Sequence, residues 1–355
     1  MLTIDGSQKS GSGTIVRDAV PFCALTGKSL RLFNIRSQRK KPGLRTQHLT
    51  AIRACAQLCQ GELRGDEVGA SEIIFTPGKK IIGGNYRWDI GTAGSTIMLA
   101  MAVLPMALFA DAPSRFTITG GLFQDFAPSA FHFQQLFLTL LQRMGADVEI
   151  TIIRPGYVPA GQGEIELRVT PLTTPLQPIV LEEPGPVEKI EGIALSSHLR
   201  QRNVSHRMGE ACEKELRREG YSADIRIVYD ETDQPAFRKP AAQPGAVLAV
   251  RAQTGNGALI GADMAGAIRR SAEFIGKQVA RNLLADLHSG ATVDRYLADQ
   301  LIPYTALAAG VNRYRIPRMT DHVAARLWLV EKILGARVSV QNNTVEIQGI
   351  GFRSS

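Results

Sequence analysis

The stretch Val323-Ala-Ala-Arg-Leu-Trp-Leu-Val-Glu-Lys-Ile-Leu-Gly335 carries apolar residues at Val323, Leu327, Val330 and Leu334. Spacings of four, three and four put them on one face of a helix. Thr320 and Asp321 are capping residues just ahead of it, and Gly335 closes it. The same design occurs twice more, over 49–60 before Gly61 and over 131–144 before Gly145. Strand-like segments follow each helix, at 72–76, 147–153 and 337–341. Three such units read as an internal repeat. The glycines are 84 residues apart in the first interval and 190 in the second, and the excess of about 106 residues is the size of a small inserted domain.

Composition places the insert. Pro171, Pro175, Pro178, Pro184 and Pro186 mark a linker. Beyond it the patterns predict strands at 189–196, 223–229 and 246–252, a charged helix near 199–219 and a second helix near 266–287. The chain therefore divides into a repeat domain of 1–182 and 289–355, and an inserted α/β domain of 183–288.

A length of 355 residues, 44% hydrophobic and 21% charged, is ordinary globular composition. The formal charge of +8 permits a polyanionic partner. The N-terminus lacks a basic segment followed by an apolar run, which argues against a secretory signal. The most apolar stretch, 97–109, is too short for a membrane span, contains Pro105 and reads as a buried helix. Four cysteines do not suggest a disulfide framework. Cys55 and Cys59 lie one helical turn apart on an apolar face, where core packing is the expectation, and a reducing cytoplasm fits.

Within this frame several groups could carry chemistry. His322 falls in the first turn of its helix, near the positive end of the dipole. There a neutral, nucleophilic ring is favoured and free N–H groups can hold phosphate; a capping or packing role is the alternative. Arg36, Arg39, Lys40, Lys41 and Arg45 put five cations in ten residues just before a helix. That is either a phosphate site or a solvated loop. No aromatic stripe accompanies them, so base stacking is not indicated. Gly91–Ser95 is a glycine-rich turn that opens the apolar helix, as a cap or as a phosphate contact. No G-x-x-x-x-G-K-[ST] motif occurs.

Tyr296-Leu-Ala-Asp-Gln300, followed 22 residues later by a histidine opening a helix, resembles the C-terminal signature of the RNA 3′-terminal phosphate cyclases. Further matches stand in family order: Asp5-Gly-Ser-Gln8, Arg36 with Lys41-Pro-Gly-Leu44, Gln47-His-Leu-Thr50, Ile90-Gly-Thr-Ala-Gly-Ser95 and Gly156-Tyr-Val-Pro-Ala-Gly-Gln-Gly163. The resemblance implies an α/β (α+β) fold of three βαβαββ-type repeats, similar to the C-terminal domain of translation initiation factor 3, plus a smaller α/β insert. It also implies a cytoplasmic, ligase-type RNA-processing enzyme that uses ATP and a divalent cation (Mg or Mn). Such an enzyme converts an RNA 3′-phosphate to a 2′,3′-cyclic phosphate through a histidine–AMP intermediate. By that resemblance His322 is the nucleophile, and Tyr296, Asp299, Gln300 and the Met101 position belong to the nucleotide pocket. Asp299 orients the imidazole, or binds ribose or metal, or caps a helix over 300–309. Arg17, Arg36, Arg39 and Gln47 are implied at the RNA 3′-phosphate end, and the metal ligands are not identified.

The chain also departs from the family pattern. Ser10 stands where a metal-contacting glutamate is usual, Thr14 where a glutamine is, Met101 where a nucleotide-contacting glutamine is and Phe131 where an aspartate is common. Ala325-Arg326 replaces a Thr-Asn pair after the histidine. These changes motivate two alternatives: an adenylyltransferase acting on another phosphorylated end or with another nucleotide, and a non-enzymatic RNA-binding or ribosome-assembly protein.

Overall fold

A computed structural model describes residues 1–354. Strand β1 (Leu2–Asp5) pairs in parallel with β2 (Leu30–Phe33) through α1 (Gly13–Thr26). Helix α2 (Thr46–Cys59) then leads to β3 (Glu62–Arg64) and β4 (Ile73–Thr76), giving the order β1-β2-β4-β3. The second sheet repeats the pattern. Strand β5 (Gly84–Asp89), α3 (Thr96–Ala107) and β6 (Ser114–Gly120) come first. Helix α4 (Ala130–His132) runs through a π-turn (Phe133–Phe137) into α5 (Leu138–Arg143). Strands β7 (Asp147–Arg154) and β8 (Gly163–Thr170) complete the order β5-β6-β8-β7.

After β9 (Val180–Leu181) the chain builds a different unit. Strands β10 (Val187–Ser197) and β11 (Asp224–Asp230) flank α6 (Val204–Arg218), and β12 (Gly245–Thr254) and β13 (Leu259–Ala265) precede α7 (Ala272–His288). Their order is β11-β10-β12-β13. Helices α8 (Leu297–Gln300) and α9 (Ile302–Leu307) return the chain to β14 (Val311–Arg315), which pairs in parallel with β9. Helix α10 (Asp321–Leu329), a π-turn (Val330–Leu334), β15 (Arg337–Gln341) and β16 (Thr344–Gln348) complete a third sheet ordered β15-β16-β14-β9. All three of these sheets share one pairing: a parallel pair of outer and inner strands, then a returning antiparallel hairpin.

Burial explains the assembly. Helix α3 is apolar all round and nearly all of it is buried, as a central helix must be. In β12, Val247 and Ala249 join the main core while Leu248, Val250 and Ala252 join a second core under α6 and α7. Successive strand residues point to opposite faces, so this sheet is covered on both sides. The unit of β10–β13, α6 and α7 is thus packed against the main core through this sheet. All four cysteines are free and buried. Among the described residues no helix is long and apolar enough to cross a membrane.

The structure differs from the pattern reading in detail. The left-handed cap of α2 is Gln60 (φ 52°), not Gly61. Gly61 is needed for close approach: a Cβ there would sit 2.8 Å from the Thr76 carbonyl oxygen. The strand directly after α2 is Glu62–Arg64, with 73–76 as its hairpin partner. Helix α6 begins at Val204 after a 3-10 turn, and α7 begins at Ala272 because Ser271 Oγ accepts from the Phe274 amide. Residues 266–271, read as helix start, are a loop, and strand β13 fills the stretch just before them.

Candidate active site

Two helices set the site. Thr320 Oγ1 accepts from the Val323 amide and starts α10, which puts His322 in its first turn. Ser12 caps α1 in the same way through the Thr14 amide. The helices then meet in two rungs. Thr14 Oγ1 lies 3.0 Å from His322 Nδ1, and one turn further along both helices Arg326 Nε donates to Asp18 at 2.8 Å. Side chains four apart lie on one helical face, so each rung fixes the other. Arg326 Nη1 also lies 2.9 Å from Asp299 on α8.

A cavity of about 230 Å³ opens beside this ladder. Its wall contains His322, Tyr296, Asp299, Gln300 and Met101, so all five residues assigned to nucleophile and nucleotide converge. Thr14, Arg326, Met98 and the segment Phe126-Ala-Pro128 complete it. His322 opens to solvent at the mouth, yet its pKa is lowered. Desolvation against the cavity wall is the main cause; Arg326, Arg17 and Arg39 add to it and Asp299 opposes. The ring is therefore neutral at neutral pH. With its proton on Nδ1 it donates to Thr14 and leaves the Nε2 lone pair free. Burial raises the Asp299 pKa against the pull of Arg326 and His322. Burial likewise pushes Tyr296 up to about 12, which keeps its hydroxyl protonated. Gln300 is buried, and among the described residues its Oε1 has no hydrogen-bond partner. Asp299 caps no helix: Asp294 Oδ1 accepts from the Tyr296 and Leu297 amides instead.

The basic residues form a second group beside the cavity, and none of them lines it. Arg17 is 7% exposed and, among the described residues, its side chain has neither a carboxylate partner nor a hydrogen bond. Burial, together with Arg326 and Arg36, pulls its pKa down to about 10 against Asp18, so it stays charged at neutral pH. His48 packs beside it, held neutral with a pKa near 2 by burial and by Arg17, Arg36 and Arg45. Its Nδ1 accepts from the Arg45 amide, and its Nε2 faces Gly13, where a Cβ would lie 2.1 Å away. Only glycine fits there. Arg36 is already engaged: its Nη1 donates to the Lys41 and Gly43 carbonyls, bracing the basic loop. Arg39 donates to the Ser10 carbonyl at 3.1 Å and remains exposed. Gln47 is half-buried against Gly94 of the glycine turn. In that turn Ser95 Oγ caps α3 by accepting from the Met98 amide.

Sequence reading passed over Asp18, Arg326 as an ion-pair centre, His48 and the Phe126-Ala-Pro128 wall. A signal existed for the first two. Thr14/Asp18 and His322/Arg326 are each i, i+4 pairs on helices whose other residues are mainly apolar. As for a metal, both carboxylates near His322 are already paired with Arg326. Among the described residues no group of three or more His, Cys, Asp or Glu is placed to hold one.

The family model described as RNA 3′-terminal phosphate cyclase matches residues 8–340. The chain is similar to the protein named RNA 3′-terminal phosphate cyclase in Ignicoccus hospitalis, 37% identical over 94% of this chain and 93% of the relative. It is similar also to those of Methanothermobacter thermautotrophicus, 37% identical over 96% of each, and Nitrosospira multiformis, 36% identical over 96% and 93%. With a nearly full-length match on both measures, this chain belongs to the RNA 3′-terminal phosphate cyclase family.

Proposed function

We propose that the protein converts an RNA 3′-phosphate to a 2′,3′-cyclic phosphate at the expense of ATP, with His322 as nucleophile. The observation that carries this reading is a neutral histidine with a free Nε2 at the mouth of a cavity that also holds an unpartnered acceptor, Gln300 Oε1, beside an unpaired buried cation, Arg17. An adenine amino group is the donor that Gln300 lacks, and phosphate is the anion that Arg17 lacks.

In the first step Nε2 attacks the α-phosphorus. The P–N bond forms as the bond to the β-phosphate oxygen breaks, and pyrophosphate leaves. Thr14 Oγ1 holds Nδ1 and with it the ring plane. An oxygen of the RNA 3′-phosphate then attacks the same phosphorus and displaces His322, giving an RNA-adenylate. Finally the adjacent 2′-OH attacks the terminal phosphorus, losing its proton as AMP leaves. Each displacement has a better leaving group than direct cyclisation would. Arg17 and Arg39 hold the RNA phosphate, and Tyr296, Gln300 and Met101 enclose the base. A divalent cation would offset the charge of the nucleotide phosphates. We place this chemistry in 1–182 and 289–355, with 183–288 as an inserted domain, in a cytoplasmic protein.

Met101 favours one variant of this reading, since a thioether in the wall offers no amide donors and loosens nucleotide choice. The test is labelling with α-labelled ATP and other triphosphates, followed by acid treatment. The expected label is acid-labile, alkali-stable and absent from His322→Ala. No label from any triphosphate would overturn the reading in favour of an RNA-binding protein.

A further inference from the structure

A second groove, of about 480 Å³, runs between the turn after β7 and the insert. Four arginines line it: Arg202, Arg207, Arg269 and Arg270. Glu273 pairs with Arg207 and Asp125 with Arg270, but among the described residues Arg202 and Arg269 have no acidic partner and no side-chain hydrogen bond. Exposed apolar side chains alternate with these cations, Val158 at 57% and Ile268 at 93%.

One short link joins the groove to the His322 cavity. Asp125 holds Arg270 in the groove through two hydrogen bonds, and the next residue, Phe126, lines the cavity. Phe126 is fully exposed and has φ 65°. Left-handed backbone is unfavourable for an aromatic residue, and such strain persists only where neighbours over-determine it. Here the neighbours are the Asp125–Arg270 pair on one side and, on the other, the Ser129 amide donating to Asp263 at 3.0 Å. The fold thus holds a bare aromatic ring on the ridge between a reactive cavity and a basic groove.

We infer that Phe126 and this groove form a track for the single-stranded RNA on the 5′ side of the reacting end. A base stacks on Phe126 as the strand leaves the cavity, and Arg202 and Arg269 take the following phosphates. The inference rests on the proposed reaction for the placement of the 3′ end. Free cations beside exposed apolar side chains and a bare ring suit a single strand, whose backbone and base faces are both accessible. An acidic peptide would use the charges and leave the ring uncovered.

The test compares a labelled 3′-phosphorylated 12-mer with a 3′-phosphorylated dinucleotide. Wild type should bind the 12-mer at least tenfold more tightly, and Arg202→Glu/Arg269→Glu should abolish that length advantage. Its log–log salt dependence should become shallower by about 1.4, two phosphates at roughly 0.7 each. Phe126→Leu should weaken the 12-mer with the salt slope unchanged, since stacking is lost and no charge is removed. Thermal melting checks the fold of each variant. Unchanged length preference in the charge-reversed protein would overturn the track. So would polyglutamate competing as well as RNA with no effect of Phe126→Leu. Absence of nucleotide labelling in wild type, with the length advantage intact, would instead count against the reaction alone.

Discussion

Arg17 and Arg326 are both buried arginines beside His322, and they are held in opposite ways. Arg326, 4% exposed, lies between Asp18 and Asp299. Burial opposes its charge, but the two carboxylates more than offset this, so its pKa is raised. Arg17, 7% exposed, has no carboxylate partner and its pKa is lowered to about 10. A buried charge that the fold has not neutralised is costly to keep. The difference separates an arginine that organises the site from one left available to an incoming anion.

The same substitution at both positions breaks or sharpens that contrast. Arg326→Met leaves buried Asp18 and partly buried Asp299 without the cation they share. Removing one partner of such a pair costs about 3–5 kcal/mol. The measurement is denaturant unfolding, and a loss below 1 kcal/mol would refute the organising role. Adding Asp18→Leu should recover part of the loss, because one orphaned carboxylate is removed.

Arg17→Met should do the reverse. Stability should change by less than about 1 kcal/mol, since no native pair is broken and the aliphatic volume is kept. Turnover of the 3′-phosphorylated RNA should fall by about 30-fold or more, the equivalent of roughly 2 kcal/mol in a charge-assisted phosphate contact. An Arg17 variant that unfolds but still turns RNA over would erase the distinction.

How far the site was legible follows from how each contact is encoded. Local pattern carries the glycine-terminated helices and the cap at Thr320, because spacing within a helix is visible in the chain, whereas the cluster from Tyr296 to Gln300 is legible only through the family resemblance. The ladder is not local: Thr14 and Asp18 meet residues 308 positions away. Taken singly, Thr14 and Arg326 look like departures that weaken a family pattern. Together with Asp18 they are complementary, a hydroxyl for the imidazole and a carboxylate for the guanidinium. Strand β13, Leu-Ile-Gly-Ala-Asp-Met-Ala265, was hidden for another reason. Its small residues and Asp263 blur a period of two, and what makes it a strand is pairing with β12. Arg36 was assigned to the RNA end by resemblance, yet its guanidinium is occupied with backbone carbonyls, which no composition count can reveal.

The smallest expected effect tests the ladder at its other rung. His322 must be neutral to attack, and a lowered pKa lets the neutral ring persist as pH falls. Labelling should therefore stay flat from pH 8 down to the ordinary histidine value near 6.5 and decline only below it. Arg17 is one of the cations that lower this pKa, so Arg17→Met should move the acid limb upward. Thr14→Val keeps shape and charge and removes only the hydroxyl at Nδ1. It should reduce the labelling plateau by roughly fivefold, about 1 kcal/mol for one hydrogen bond, without moving the limb. Thr14→Ser should retain the wild-type rate. Were Thr14→Val to shift the limb and leave the plateau intact, the hydroxyl would be tuning the proton affinity of the ring, and the orientation of Nε2 would have to come from the α10 backbone alone.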